Sequence, residues 1–505
     1  MKLILACAMF TASMWGASCE SLASLALPNT TITVAQPVAA GEFTPSERAF
    51  GGTPGPAIAF KDLPAFCRIA ATLKPTDDSD IKIEVWLPAA GWNGKFQAVG
   101  NGGWAGSISY GAMAEALHDG YATSSTDTGH VGGSGSFALG HPEKVADFGY
   151  RSEHEMTVKA KAIIEVFYGS PAKMSYWNGC STGGRQGLKE AQRFPDDYDG
   201  IIAGAPANPR THLAFATLWI AHANLKDPAS YIPPVKYPAI HRAVLEACDA
   251  QDGLKDGLIS DPTRCHFDPR VIACKGADEF TCLTAPQIET VKKILSPSRN
   301  PRTGEEIYPG LEPGAELGWA TLAGPQPFAA TTDHFKYVVF KDPNWDWKTL
   351  NFDGDVALAD KIDDETINAT DANLKPFFNR NGKLLLYHGW ADQNVAPPAT
   401  INYYKRVVDT VGESKAADST RLFMAPGMAH CGGGEGPNSF DMMIAITDWR
   451  ENGHAPERIL AAHRVNGKVD RTRPLCAYPQ VATYKGSGSI DDAANFVCQV
   501  SEPRP

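Results

Sequence analysis

Four things are missing from this sequence of 505 residues, and each absence narrows the field. After Met14 no stretch is apolar enough to span a membrane as a helix. No tract of Lys and Arg occurs, and a formal charge of −11 argues against a nucleic-acid surface or a polybasic membrane patch. No internal repeat or low-complexity segment is present, so solenoid and fibrous architectures fall away. No two cysteines form a C-x-x-C pair, the spacing common in zinc sites. What remains has the composition of a soluble globular protein. It is long enough for one large domain with an insertion, or for two to three domains.

The chain opens with Met1-Lys2, an apolar run from Leu3 to Met14, and the small residues Gly16, Ala17 and Ser18. That pattern reads as a secretory signal peptide over residues 1–18, too short to cross a bilayer. Gly16-Ala17-Ser18-Cys19 faintly resembles a lipoprotein box but lacks the large aliphatic residue at its start. The protein is therefore expected to be secreted or periplasmic. Of eleven cysteines, Cys7 leaves with the signal. An even number remains, which in an exported chain predicts a disulfide framework, with its connectivity left open.

One stretch, Tyr176 to Leu188, organises the rest. Met174 to Trp177 reads as the end of a strand. Gly179-Cys180-Ser181-Thr182-Gly183 matches G-x-S-x-G, and Arg185 to Arg193 has helical composition. Strand, sharp turn and helix are the context of a nucleophile elbow, with the helix N-terminus aimed at developing negative charge. A serine nucleophile needs a base and an orienting acid, which follow it in the order acid, then histidine, in this fold class. Lys383 to Tyr387 reads as a buried strand, and Asp392 lies in its exit loop, where catalytic residues of open α/β sheets gather. Arg421 to Met424 is a further strand, leading into the loop that carries His430. His388, close to Asp392, reads as a strand-end residue. Cys180 precedes Ser181 and Cys431 follows His430. If serine and imidazole meet, the two sulfurs can join, because a disulfide needs Cα atoms only about 4.4–6.8 Å apart.

Upstream, Ile81 to Leu87, Lys95 to Val99 and Tyr121 to Thr126 read as strands, and Ser152 to Phe167 as a helix. The exit of the second strand, Gly100-Asn101-Gly102-Gly103-Trp104-Ala105-Gly106, stands where α/β-hydrolases place an oxyanion-hole loop. Gly102 or Gly103 is expected to give one backbone donor and Thr182 N–H the other. Gly200 to Gly204 is a buried strand, after which strand–helix alternation is lost from about 208 to 369. That span reads as an inserted lid. Its aromatics Phe215, Trp219, Phe335, Tyr337, Phe340, Trp345 and Trp347 are expected to form mainly lid core. Within it, Cys248 to Ser260 holds three carboxylates, Asp249, Asp252 and Asp256, in a Gly-punctuated loop suited to a hard cation, without EF-hand spacing. Ala399 to Val411 and Ser439 to Asn452 read as helices, and residues 461–500 as short strands.

Gly179 to Gln186, His388-Gly389-Trp390-Ala391-Asp392 with Ile401 to Tyr404, and Pro426 to Gly432 resemble the motifs of the tannase/feruloyl esterase family. That family also includes the bacterial mono(2-hydroxyethyl) terephthalate hydrolase. The resemblance runs from about residue 40 to the C-terminus. It implies an α/β-hydrolase core over residues 19–207 and 370–505, with a lid at 208–369. It places the triad on Ser181, Asp392 and His430. With local spacing it implies the disulfides Cys19–Cys67, Cys180–Cys431, Cys248–Cys265, Cys274–Cys282 and Cys476–Cys498. It also implies a structural Ca2+ held by Asp249, Asp252 and Asp256 with the carbonyls of Leu254 and Leu258.

The implied activity is hydrolysis of esters of phenolic acids by a secreted monomer acting on a small aromatic ester. A terephthalate-monoester hydrolase is the second reading. It calls for a lid cation, yet Thr331 to Lys348 offers Lys336, Lys341 and Lys348 and no Arg. A serine peptidase is disfavoured, since no large accessory domain is evident. The reading from another class is a non-catalytic, calcium-bound binding module.

Overall fold

In the computed structural model the described residues are 16–45 and 60–500. Most of the expected signal peptide lies outside them. Strands are numbered here along the main sheet: β1 (Thr30–Val38), β2 (Phe66–Leu73), β3 (Ile81–Pro88), β4 (Lys95–Val99), β5 (Ala122–Thr126), β6 (Met174–Cys180), β7 (Gly200–Gly204), β8 (Lys383–Gly389) and β9 (Thr420–Ala425). Their spatial order is β1-β2-β3-β5-β4-β6-β7-β8-β9. Pairings from β1 to β5 are antiparallel; those from β5 through β4 and β6 to β9 are parallel. This is an α/β-hydrolase sheet.

The parallel strands are largely buried because helices cover both faces. All seven residues of β8 are buried. Leu384 and Leu386 face the side packed by α2 (Ser152–Tyr168), α3 (Thr182–Arg193) and α7 (Pro397–Val411). Leu385 and Tyr387 face the side of α1 (Tyr110–His118) and α8 (Met442–Asn452). On α2 the buried residues Met156, Ala160, Ile163 and Ile164 form one stripe, and Gly169 closes the helix at φ 69°. The last of these helices, α8, starts three residues later than expected, because the Asp441 side chain accepts the Ile444 N–H and caps it there.

Between β7 and β8 no strand joins the main sheet. Here α4 (Arg210–Leu225), α5 (Tyr237–Cys248) and α6 (Ala285–Ile294) build a core of their own, with Trp319 and Tyr308 buried among them. The aromatics expected in the lid pack on one another: Phe215 against Phe335 at 5.0 Å, Phe335 against Trp345 at 5.2 Å, and Phe340 against Trp345 at 5.0 Å between ring centroids. After β9, two hairpins follow, β10 (Arg458–Val465) with β11 (Lys468–Cys476) and β12 (Gln480–Tyr484) with β13 (Phe496–Val500).

All five expected disulfides are present. Cys19 is bonded to Cys67, so its thiol is not available for a lipid. Cys180–Cys431 joins residues 251 apart in sequence, with 5.9 Å between their Cα atoms. No described helix is long and apolar enough to cross a membrane.

Candidate active site

Ser181 stands between the last residue of β6 and the first of α3, at φ 61° and ψ −121°. Few non-glycine residues adopt a positive φ, and the turn has room because Gly179, Gly183 and Gly100 around it carry no side chains. A Cβ on Gly179 would lie 2.5 Å from the Gly183 carbonyl oxygen, and one on Gly100 2.5 Å from Gly183 Cα. The elbow and the β4 exit loop therefore meet backbone against backbone. The Ser181 N–H donates to the Gly204 carbonyl at 2.9 Å, tying the nucleophile to the end of β7.

That close approach also brings the expected oxyanion donors together. Gly102 and Gly103 line the cavity in front of Ser181. Thr182 is buried directly behind it, with its hydroxyl donating to the Gly103 carbonyl at 2.9 Å. As the first residue of α3, Thr182 has an N–H without an intrahelical acceptor. Asn101 holds the loop in place. Its side chain donates to the Thr126 and Ser107 carbonyls, and its N–H donates to Gln186 Oε1 at 3.0 Å. Gln186 in turn donates to Glu153, a carboxyl that burial pushes up to about 7 against the opposing charge of Arg185. Arg185 donates to the carbonyls of Gly149, Ile367 and Phe148, joining α3 to the end of the insertion. These polar residues next to the nucleophile were not anticipated. The signal was in the motif itself, where Arg185 and Gln186 follow two glycines on a helix with little other reason to bury charge.

Asp392 is fully buried in the β8 exit loop. Its Oδ1 accepts the N–H groups of Asn394 at 2.7 Å and Val395 at 2.9 Å. Its Oδ2 accepts from His430 Nδ1 at 2.7 Å and from His388 Nε2 at 3.0 Å. Burial alone would raise this carboxyl, but the two imidazoles hold it well below the usual carboxylate range. His388 is thus not merely a strand-end residue. Its Nε2 also faces the Val395 carbonyl, so that nitrogen carries the hydrogen, and its Nδ1 meets the Thr400 hydroxyl at 2.8 Å. No sequence pattern marks that role, which comes from α7 returning to the end of β8.

With Nδ1 engaged by Asp392, His430 presents Nε2 as its free nitrogen. Ser181 and His430 line one cavity of about 660 Å³, and the Cys180–Cys431 bridge joins their chain neighbours. The Ser181 hydroxyl has no hydrogen-bond partner among the described residues, a looseness common in ligand-free hydrolases. The insertion supplies the outer wall through Arg210, Leu213, Ala214, Thr217, Leu322, Phe328, Ala330 and Thr331. None of the seven aromatics singled out in the sequence, and none of Lys336, Lys341 and Lys348, reaches that wall.

The acidic loop lies elsewhere. Asp249 accepts the N–H groups of Asp256 and Gly257, and Asp252 accepts the Leu254 N–H and the Ser260 hydroxyl. Asp256 accepts from Arg473 of β11 at 2.6 Å. Burial raises Asp252 against its hydrogen bonds from Ser260 and Leu254, and the charges of Asp256 and Asp249 add to the rise. Among the described residues, the sets of three ligand atoms within 4.8 Å of one another are Cys274, Asp278 and Cys282, and His154, Glu190 and Asp197. The three loop carboxylates do not form such a set, though their all-oxygen donor chemistry is of the kind a hard cation takes. Though distant from the triad in sequence, the loop packs against the root of the segment that carries His430: a Cβ on Gly427 would lie 2.6 Å from Leu258 Cδ2.

The family model described as tannase and feruloyl esterase matches residues 67–499. An uncharacterized esterase of Xanthomonas campestris pv. campestris is 42% identical, covering 98% of this chain and 93% of its own. A probable feruloyl esterase B-2 of Aspergillus terreus is 37% identical over 86% of each chain. The crystal structure of feruloyl esterase B from Aspergillus oryzae superposes with a TM-score of 0.88 at 33% identity, covering 95% of this chain and 99% of that one. With its elbow serine at the mouth of a cavity shared with an Asp-bound imidazole, the chain belongs to the tannase and feruloyl esterase family of carboxylic ester hydrolases.

Proposed function

We propose that this chain hydrolyses esters of phenolic acids through an acyl-enzyme on Ser181. The observation that carries the reading is the placement of Ser181 and His430 on one cavity, with His430 Nδ1 on the buried Asp392 carboxylate. His430 Nε2 takes the Ser181 proton as the oxygen attacks the ester carbonyl. Asp392 keeps the ring in that tautomer and balances the imidazolium. The N–H groups of Thr182 and of Gly102 or Gly103 receive the oxyanion. His430 then protonates the departing alcohol. In the second half-reaction it takes a proton from water, which releases the acid and restores Ser181.

The feruloyl specificity in the names of the Aspergillus relatives supports a phenolic acyl group here. The five disulfides support an exported, oxidised setting. We assign Ca2+ to Asp249, Asp252 and Asp256 with the carbonyls of Leu254 and Leu258; when bound it would relieve the repulsion in that loop and brace the turn behind the His430 loop.

A fluorophosphonate probe combined with methyl ferulate and methyl gallate as substrates tests the reading. Covalent labelling at Ser181 together with hydrolysis is expected. An intact protein that neither labels nor turns over either ester would instead support a binding module.

A further inference from the structure

The arginines that hold the core together in this protein have acceptors. Arg68 pairs with Glu84, Arg151 with Asp147 and Arg473 with Asp256, and Arg185 spends its donors on three carbonyls. Arg210, the first residue of α4, is different. It is half-buried on the wall of the Ser181 cavity, and its guanidinium lies 4.6 Å from the Trp104 ring centroid. No carboxylate or carbonyl among the described residues accepts from it. Burial, with the charge of Arg185 adding to it, pushes its pKa down to about 10, and no acidic group offsets that shift.

One carboxylate borders the same cavity, Glu115 of α1. It does not neutralise Arg210: burial and Asp119 raise Glu115, and neither group's charge registers on the other. The arginine is also held still. Trp104 directly follows Gly103, is 2% exposed, and donates through Nε1 to the Ala330 carbonyl at 2.7 Å. The cation is therefore stacked on the residue after an expected oxyanion donor, and no protein acceptor among the described residues takes its fork of N–H groups. A guanidinium in that state matches a carboxylate, which can take two of its hydrogen bonds at once.

We infer that Arg210 is a specificity-determining residue that binds a free carboxylate on the substrate, so that the preferred esters are aromatic esters that also carry an anionic carboxylate. This rests on ester hydrolysis at Ser181. The carboxylate sits either on the acyl ring, as in a terephthalate monoester, or on the alcohol, as in a quinate ester, and the test separates the two. The cation sought among residues 331–348 is thus supplied from the opposite end of the insertion.

The test uses two substrate pairs: monomethyl terephthalate against dimethyl terephthalate, and chlorogenate against methyl caffeate. The wild type is expected to favour the charged member of at least one pair, with a KM for that member that rises with NaCl. In Arg210→Gln the ratio of kcat/KM, charged over neutral, should fall by about tenfold or more, mostly through KM, and Arg210→Lys should recover part of it. Loss confined to the terephthalate pair places the carboxylate on the acyl side; loss confined to the chlorogenate pair places it on the alcohol. A ratio unchanged within about twofold in Arg210→Gln would overturn the inference whatever the absolute rates. If that variant fails to fold, a wild-type KM for the charged esters that is indifferent to salt overturns it equally. Failure of the wild type to hydrolyse any of the four esters would count against the esterase reading itself.

Discussion

The sheet side of the cavity and the side built by the insertion treat polar groups in opposite ways. Around β6 and β8 the polar side chains that hold Ser181 and His430 in place are bonded to one another or to the backbone. Asp392 accepts four hydrogen bonds, Gln186 links Asn101 to Glu153, and Arg185 reaches three carbonyls. On the facing wall Arg210 has only an indole face, amid Leu213, Leu322 and Phe328. A saturated group fixes geometry, because moving it leaves a buried donor or acceptor unpaired at about 1–3 kcal/mol. An unsaturated group on a cavity wall is available to whatever enters. The chemistry is thus held by the sheet, and the choice of substrate is left to the insertion.

The sharpest way to break the saturated side is at its carboxylate. Asp392→Asn keeps the shape but replaces an acceptor with an amide that can donate, so His430 no longer has a reason to hold its hydrogen on Nδ1. A fall of about 10⁴-fold in kcat, with the fold intact by circular dichroism, is expected. A loss under tenfold would mean that Asp392 does not orient the base.

The covalent tie should matter less for chemistry and more for stability. Replacing both Cys180 and Cys431 by Ser is expected to cost about 2–5 kcal/mol in denaturant unfolding, because a long loop is no longer closed in the unfolded chain. Turnover should fall as the elbow and the His430 loop drift apart. Unchanged kcat would assign the bridge to stability alone.

The smallest effect concerns the seam between the two regions. His241 of α5 bonds Glu316 through Nδ1 and Glu435, in the loop after His430, through Nε2, each at 2.8 Å. Burial lowers its pKa, but the two carboxylates outweigh that and raise it to about 9. Its contribution to stability is therefore full below about 6.5 and is lost as pH rises through about 9. His241→Gln should cost on the order of 2 kcal/mol at pH 6, with the gap to wild type closing by about pH 10. A gap independent of pH would leave the latch without an ionic component.

How much was legible follows the same division. The elbow was readable because a strained turn is a local event: glycines flank a serine, and no distant residue decides whether a Cβ would clash. The order of Ser181, Asp392 and His430 was readable from strands whose apolar runs announce burial. Neighbouring cysteines hinted that the two loops meet. The second imidazole on Asp392 was missed, since Thr400 and Val395 recruit His388 only once α7 folds back. Arg210 was not legible because nothing in its sequence neighbourhood shows that the start of α4 turns toward Trp104. The acidic loop is far from the triad in sequence, yet Leu258 packs against Gly427.

By itself, then, the sequence determined which groups do the chemistry and in what chain order, because backbone strain, strand apolarity and cysteine count are local or additive properties. Only the tertiary structure decided which polar groups are spent on one another and which are left facing the cavity. Pairing depends on what the fold brings within hydrogen-bond reach, and for Arg210 it brings an indole and no acceptor.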